Sequence, residues 1–478
     1  ALLDQLDPTG HVLRHVERRL EVYTRRAELY FLQGRLDERN RDLQAMRDLA
    51  ETCGASSLQA RASAAHARYA NLDGRYEDAM ACARDGLASL GSAGDPSVRS
   101  SLLAQLGFAH YFRGNAREAL APLQEALSIQ REVDPLARAE VLSVMSYAHF
   151  LTADYGRSLH YRKQAYDLRR ARGETARACW DLTDIGILHT RMYRLDRAEQ
   201  ALAEALDMAR RNGSRPAESY ALNNDGNLLY LRGDYAAALE RYEASLVLQR
   251  ATGSRRGEAS ALGNCGMVLV SLGDYPTAEA LLRQAAAIEE SIGYDSGLAE
   301  GLAHLARALA GQDRLEEAKF TAERSLSLAD RIGDRYSGVL ARLVLGWVLV
   351  LLGQADEGRA LEAEAAGIAR DTGLVHGVIL GLAFQAVAHL AAAQADLAVR
   401  CSRQAVGLLE QYGCIEGPEE AVLLVHFQAL EARGHARAAA RARRRFLEEL
   451  ELKARRIPRP VQRNAYLASW SVDRAPHL

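Results

Sequence analysis

The residues that could support catalysis do not form a common catalytic motif in this sequence. Its only lysines are Lys163, Lys319 and Lys453, and none follows a glycine directly, so the chain has no G-x-x-x-x-G-K-[ST] phosphate-binding loop. The H-E-x-x-H zinc motif, the calcium-binding loop and the G-x-S-x-G nucleophile elbow are also absent. Acidic residues such as Asp234 and Asp274 recur at turns, where they are expected to cap helices. The sequence therefore predicts a protein that is not an enzyme and needs no cofactor.

The sequence also gives no indication of a metal site, a disulfide framework or a membrane span. The six cysteines lie far apart with no C-x-x-C pair, and the thirteen histidines are scattered, which predicts neither a metal site nor a disulfide framework. The most apolar run, at 343–353, is shorter than the ~20 residues of a membrane span. A formal net charge of -2 gives no reason to expect binding to nucleic acid or anionic membranes. We expect a cytoplasmic protein.

Asparagines carry the clearest binding chemistry. Asn223, Asn224 and Asn227 occur within five residues, and Asn264 follows 40 residues after Asn224. Asparagine is a mediocre helix former, so several of them on one helical face require a reason. A side-chain amide offers two donors and an acceptor and can bind both backbone groups of an extended peptide. These residues therefore predict a peptide-binding surface, with a merely solvated polar face as the alternative.

A repeat of about 40 residues positions the asparagines. Its first turn position falls at Gly34, Gly74, Gly114, Ala153, Tyr193, Gly233, Gly273, Asp313, Gly353, Ala393 and Gly434. A second turn glycine follows about twenty residues later in nine copies, at Gly54, Gly94, Gly173, Gly213, Gly253, Gly293, Gly333, Gly373 and Gly413. Each half is long enough for one helix and one turn. Because such a unit cannot bury its own apolar face, the copies must stack into a solenoid.

Two columns of small residues identify the repeat. They lie seven residues before and five residues after the first turn, and only Phe427 and Arg39 depart from them. Small residues there allow two antiparallel helices to approach closely. With the Gly-x-Tyr-x-x-Ala turn, clearest at 226–246 and 266–286, this pattern resembles the tetratricopeptide repeat. The resemblance covers residues 18–452.

The 40-residue unit is similar to the arrays of kinesin light chain and of partner-of-inscuteable proteins. It also resembles the C-terminal arrays of bacterial maltose-activator-type regulators and of signal-transduction ATPase or cyclase proteins. The resemblance implies an all-α, right-handed α-solenoid of about eleven helix-turn-helix repeats with a C-terminal cap. We expect a lead-in at 1–17, the superhelix at 18–452 and a basic tail at 453–478. The resemblance also implies the C-terminal part of a larger bacterial signalling or transcription-regulatory protein.

The inner face of the first helices is the expected binding surface, because these helices line the concave side in this fold. By the 3.6-residue period, the residues predicted to bind a peptide or ligand are Trp180, Asp184, Arg191, Tyr220, Asn223, Asn224, Asn227, Tyr230, Asn264, His304 and Arg307. The motif Asn224-Asp225-Gly226-Asn227 is similar to the peptide-gripping N-L-G-N of the spindle-orientation arrays, with Asp for Leu. This departure leaves the partner open.

Farther along, the same face becomes apolar. The predicted contact patch consists of Leu340, Val344, Trp347, Phe384 and Val387. It is covered either by the chain's own tail, through the face of Tyr466, Leu467 and Trp470, or by a partner, a second copy of the chain or an apolar ligand. Residues 434–478 carry a net charge of +7, which fits a polar cap of the solenoid or, alternatively, a contact with nucleic acid or an acidic domain.

The sequence is compatible with three functions. The first is a noncatalytic scaffold that binds a protein or an extended peptide in its groove. The second, implied by the maltose-activator resemblance, is a small-molecule sensor with its ligand near Trp180, Tyr220 and Tyr230. The third is an oligomerisation scaffold that acts through self-association or a contact with another domain of the same protein.

Overall fold

A computed structural model of the chain describes residues 11–33, 35–91, 94–113, 115–129, 135–152 and 154–470. Within these ranges the regular elements are all α-helices, which confirms the all-α helical repeat solenoid. Each of the eleven copies supplies two helices. The first helices are α1 (His11–Leu32), α3 (Ser56–Leu72), α5 (Pro96–Phe112), α7 (Pro135–Leu151), α9 (Thr175–Arg191), α11 (Arg215–Leu231), α13 (Arg255–Ser271), α15 (Asp295–Gly311), α17 (Arg335–Leu351), α19 (Val375–Ala391) and α21 (Glu419–Ala432).

The second helix of each copy follows the first turn position. These helices are α2 (Leu36–Cys53), α4 (Tyr76–Leu90), α6 (Ala116–Ile129), α8 (Tyr155–Ala171), α10 (Leu195–Arg211), α12 (Tyr235–Ala251), α14 (Tyr275–Ile292), α16 (Leu315–Ile332), α18 (Ala355–Thr372), α20 (Ala395–Tyr412) and α22 (Ala436–Arg455). A last helix, α23 (Pro460–Ser469), forms in the tail. Helix α22 continues through the expected boundary at 452/453, so the basic segment begins inside the last repeat.

The first turn keeps a left-handed backbone even where it lacks glycine. Tyr193, Asp313 and Ala393 have φ of 54°, 62° and 57°, close to the 70° of Gly233. Non-glycine residues rarely adopt this conformation, so the repeat imposes it on them. The turn positions Gly34, Gly114 and Ala153 lie outside the described residues.

One predicted second turn is displaced. Gly94 was expected to end the second repeat, but the residue with positive φ there is Gly91, with φ of 62° and ψ of -172°. Helix α4 therefore ends at Leu90. The turn aspartates cap helices as expected, since the side chains of Asp234 and Asp274 accept hydrogen bonds from the backbone N–H groups of Ala237 and Thr277.

The two columns of small residues face each other within each hairpin. In the fourth repeat the Oγ atoms of Ser146 and Ser158 lie 3.0 Å apart. In the ninth, a Cβ added to Gly346 would lie 2.9 Å from the carbonyl oxygen of Gly358. Where the column departs from a small residue, Arg39 is buried and its guanidinium pairs with both carboxylate oxygens of Asp73. Close packing of the paired helices thus follows from the sequence pattern.

The chain divides into two compact units. The first unit comprises Ala1–Ala217 and the second comprises Glu218–Leu478. The first unit contains five helix pairs, and the second contains six pairs and α23. Among the described residues, no helix combines the length and the apolar content needed to cross a membrane.

A buried glutamate in the second unit makes stability depend on pH. Burial, together with the Glu300 carboxylate, raises the pKa of Glu289 to about 8. An unfolded glutamate titrates near 4.3, so between about pH 4.3 and pH 8 the native state binds more protons and its stability falls as pH rises. We expect Glu289→Gln to remove roughly 3 to 5 kcal/mol of this loss at pH 9. Thermal unfolding of wild type and variant at pH 5 and pH 9 measures it, and an equal pH dependence in both would contradict the assignment.

Candidate functional site

In the first unit, the predicted binding residues of α9 differ in accessibility. Trp180 is 41% exposed and Arg191 is also exposed. Asp184 is buried, and its Oδ2 atom lies 3.2 Å from Arg162 Nη1 and 3.1 Å from the Tyr147 hydroxyl that donates to it. The prediction that Asp184 faces a ligand is therefore wrong, because a buried arginine of the preceding repeat neutralises it.

This network is structural in character. Arg162 also lies 3.0 Å from Asp181, and its guanidinium stacks 4.2 Å from the centre of the Tyr147 ring. Burial, followed by the Asp184 carboxylate, raises the pKa of Tyr147 well above its usual range. Buried charges are retained only when they are paired in this way, so these residues join the fourth and fifth repeats.

In the second unit, α11 and α13 present a polar strip on the predicted inner face. Its members are half-buried or exposed, and they are Tyr220, Asn223, Asn227, Ser260, Gly263 and Asn264. Asn264 Nδ2 donates to Asn223 Oδ1 at 2.9 Å and so links two repeats. A Cβ added to Gly263 would meet no atom within 4 Å, so there is open space over the strip. Four of its members are predicted binding residues.

The amide pair of Asn223 and Asn264 leaves one donor and one acceptor that a peptide backbone can bind. Among the described residues, neither Asn223 Nδ2 nor Asn264 Oδ1 has a hydrogen-bond partner. One is a donor and the other an acceptor on neighbouring helices. An extended chain crossing the two helices can therefore donate to one amide and accept from the other.

The two other asparagines, Asn224 and Asn227, make hydrogen bonds within the protein. Asn224 is buried and donates to the backbone oxygen of Tyr220 at 2.8 Å. Asn227 donates to Asn224 Oδ1 at 3.3 Å and accepts from the Tyr242 hydroxyl at 2.7 Å. Asn227 is exposed, but its amide already has two hydrogen-bond partners and orients the buried ring of Tyr242. The prediction that Asn224 is an accessible binding residue is wrong.

The remaining predicted residues of the second unit are buried. Tyr230 lies against Tyr235 with ring centres 5.5 Å apart, and its hydroxyl is 3.1 Å from Ser271 Oγ. Arg307 Nη1 lies 3.2 Å from His304 Nδ1, and burial, followed by Arg307, lowers the pKa of His304 to about 3. The three line a cavity of only 30 Å³, so the prediction that they line an open ligand groove is wrong.

The apolar contact patch is also part of the core. Val344, Trp347 and Phe384 are at most 1% exposed and Val387 is 6% exposed, whereas Leu340 is half-buried and lines the small cavity. The segment 413–418 between α20 and α21 closes that cavity. A Cβ on its Gly417 would lie 3.1 Å from Leu380 Cδ1. Neighbouring helices and this segment of the chain therefore cover the predicted contact patch.

The tail docks, but at a different place from the one predicted. Tyr466 and Trp470 are buried while Leu467 is 40% exposed. The Tyr466 hydroxyl donates to Glu420, and its ring centre lies 6.2 Å from that of Tyr235. The turn at Gly273 touches α23, since a Cβ there would lie 2.7 Å from the carbonyl oxygen of Ala465. The tail thus packs on the turns of the sixth and seventh repeats.

A buried lysine holds the last repeat in this position. Lys453 Nζ lies 3.3 Å from Glu419, 3.2 Å from Glu420 and 3.8 Å from Glu449, with no well-aligned hydrogen bond to any of them. It also lies 5.5 Å from the centre of the Tyr235 ring. Burial alone lowers the pKa of Lys453, but Glu420 and Tyr235 outweigh it and raise the pKa well above the usual value. Lys453 therefore stays charged and connects α22 with α12.

Sequence reasoning missed a cavity that lies in the first unit. It has a volume of 590 Å³ and is lined mainly by α1, α3 and α5. The signal was present in two places, as Arg61-x-x-Ala-Ala-x-x-Arg68 on α3 and as the arginines at 14, 18 and 25 on α1. It was missed because the prediction of a binding site rested on the asparagines of α11 and α13. Among the described residues, no three His, Cys, Asp or Glu side chains are placed to share a metal ion.

Comparison with known families identifies the repeat. A tetratricopeptide-repeat family model matches residues 218–291, and a second one matches 100–133 and 182–212. The first match contains the polar strip. No curated protein matches the chain by sequence.

Several solved structures share the fold. A Rap protein complexed with competence and sporulation factor is 15% identical, with a TM-score of 0.54 over 75% of this chain and 99% of that one. The quorum sensor NprR of B. thuringiensis, in its apo form, is 14% identical, with a TM-score of 0.52 over 73% of this chain and 97% of NprR. A signal transduction ATPase with a tetratricopeptide-repeat sensor from Pyrococcus horikoshii is 17% identical, with a TM-score of 0.50 over 73% and 52%.

Proposed function

Because this chain is an array of tetratricopeptide repeats, we propose that it is a noncatalytic module that binds an extended peptide or protein segment on the polar strip of α11 and α13. The observation that carries the proposal is the amide pair of Asn223 and Asn264. It places one uncommitted donor and one uncommitted acceptor side by side on an accessible helical surface. A peptide backbone offers the complementary groups at regular intervals.

The surroundings of the strip fit an extended ligand. Gly263 leaves space in which a backbone can approach α13 closely. Tyr220 adds a half-buried aromatic surface beside the amides. Pockets that combine apolar surface with a few placed polar groups are typical of specific binding sites. The complex of NprR with its cognate peptide NprX gives the fold a precedent for this use.

We further propose that the module regulates a larger bacterial signalling protein in the cytoplasm. The resemblance to regulators with C-terminal tetratricopeptide arrays supports this context. In such a protein, the polar strip binds a peptide or a segment of another domain. This binding changes the activity of the larger protein through the repeat array.

The test uses peptides selected by phage display on the wild-type chain. In Asn223→Ala/Asn264→Ala, both members of the amide pair are removed together, so neither leaves the other unpaired within the protein. Each lost contact contributes roughly 1 kcal/mol, so the dissociation constant is expected to rise about 30-fold. Isothermal titration calorimetry measures the change.

The control is Asn464→Ala, at an exposed position of α23. It is expected to leave binding unchanged, and both proteins should keep the wild-type melting temperature. Selected peptides that bind the double variant as tightly as wild type would place the binding surface elsewhere.

A further inference from the structure

The cavity of the first unit has the size and construction of a separate ligand site. Its 590 Å³ falls within the range of small-molecule pockets, about 300–1,000 Å³. The walls come from α1 and α3, with Ser97, Val98 and Ser101 of α5 and Glu140 of α7. It shares no residue with the polar strip, so it is independent of the proposed function.

Small residues are the reason that the cavity exists. On α3, Ala64 and Ala65 lie between Arg61 and Arg68, and the spacing puts all four on one helical face. Two alanines there leave a depression, and the long arginine side chains rise on either side of it. The depression is completed by the apolar atoms of Leu20 and Val98.

Arginines line the opposite wall as well. Arg14, Arg18 and Arg25 share the cavity face of α1, because their spacings of four and eleven residues are close to whole helical turns. Guanidinium groups therefore approach the cavity from both α1 and α3. A planar guanidinium binds a carboxylate through two parallel hydrogen bonds, a geometry that lysine lacks.

Two of the four glutamates of the wall pair with arginines of the protein itself. Glu28 Oε1 lies 2.7 Å from Arg177 of α9 and 3.7 Å from Arg68, so one carboxylate serves two arginines. Glu21 pairs with Arg25 at 2.6 Å. Glu140 accepts a hydrogen bond from Gln105 at 3.0 Å.

Positive charge is in slight excess among the residues that line the cavity. Arg18 is exposed, and Arg61 is 45% exposed and has only a solvent-accessible partner, Asp95, at 3.3 Å. Such a pair contributes little, so a ligand carboxylate can replace it. The five arginines that line the cavity outnumber its four glutamates.

We propose that this cavity binds a small ligand that carries carboxylate groups on an apolar body. The arginines of α1 and α3 hold the carboxylates, and the apolar body lies over Leu20, Ala64, Ala65 and Val98. An acidic short peptide and a dicarboxylic acid share this chemistry.

Calorimetric titration of the full chain with three probes tests the proposal. The probes are octanedioate, a tripeptide of leucine flanked by two glutamates and the same tripeptide with lysines. Octanedioate or the acidic tripeptide is expected to bind, and which of them binds more tightly distinguishes the two sources. The lysine tripeptide is expected not to bind. Failure of both acidic probes, or equal binding of the lysine tripeptide, would overturn the proposal.

Variants then locate the site. Arg61→Ala and Arg18→Ala should each weaken binding of the acidic probe at least tenfold, and Arg61→Lys should recover only part of that loss. Ala64→Trp fills the cavity without changing its charge and should abolish binding, with circular dichroism confirming that the variant is folded. Arg211→Ala, at an exposed ion pair of α10, is the control. If Arg61→Ala and Ala64→Trp both bind like wild type, the cavity is not the site.

Discussion

Gly226→Leu is expected to destabilise the second unit by about 3 kcal/mol or more and to open the hairpin of α11 and α12 locally. A Cβ at this position would lie 2.7 Å from Tyr242 Cε1. The ring cannot move away, because Tyr242 is completely buried and its hydroxyl donates to Asn227 at 2.7 Å. Since a solenoid is held together by contacts between neighbouring repeats, damage to one hairpin weakens the junctions on both of its sides.

Hydrogen exchange and chemical denaturation measure this effect. We expect increased exchange at 215–251 and a lower denaturation midpoint. The matched comparison is Gly226→Ala with Gly263→Ala, because an added Cβ at Gly263 meets no atom within 4 Å. Gly226→Ala should destabilise the protein, whereas Gly263→Ala should leave its stability unchanged or raise it by up to ~1 kcal/mol through helix propensity. Equal effects of the two alanines would show that the packing register is wrong.

Lys453→Met is expected to cost about 3 to 5 kcal/mol, because it leaves the fully buried Glu420 without its cation. Glu419, whose pKa burial already raises, loses the same partner. The last repeat and α23 should then detach from Tyr235 and from the Gly273 turn. Increased hydrogen exchange at 233–243 and 460–470 is the specific readout.

Two further variants separate this effect from a general loss of charge. Arg455→Met, two residues away on α22, removes an exposed ion pair with Glu451 and should change stability by less than ~0.5 kcal/mol. Adding Glu420→Gln to Lys453→Met should restore part of the lost stability, since no buried charge is then left alone at Glu420. A Lys453→Met protein as stable as Arg455→Met would show that the lysine does not hold the tail.

The repeat pattern predicted the hairpins because each depends on contacts within about 40 residues. The glycine columns located the turns, and the left-handed backbone at Asp313 and Ala393 shows that the column fixes the turn even without glycine. The small columns located the close approach of paired helices, as at Gly226. The prediction for Gly94 was wrong because the second helix of that repeat already ends at Leu90, and Gly91 follows it with a positive φ.

The accessible surfaces were decided by contacts that the period does not encode. Arg177 meets Glu28 across 149 residues, and Arg456 meets the backbone of Arg232 across 224 residues. These contacts depend on how successive repeats stack and on where the tail returns. Neighbouring helices likewise bury His304 and Trp347, which a repeat-by-repeat reading placed on a binding face.

The sequence by itself thus determined the helices, their turns, their pairing and the polar character of the α11 and α13 face. Only the tertiary structure decided that Asn223 and Asn264 remain accessible while Asn224 does not, and that a cavity of 590 Å³ lies at the alanines of α3. The physical reason is the distance along the chain over which the contacts form. Backbone conformation and hairpin packing are local, whereas exposure of an inner face depends on every repeat that stacks beside it and on the segment that returns to cover it.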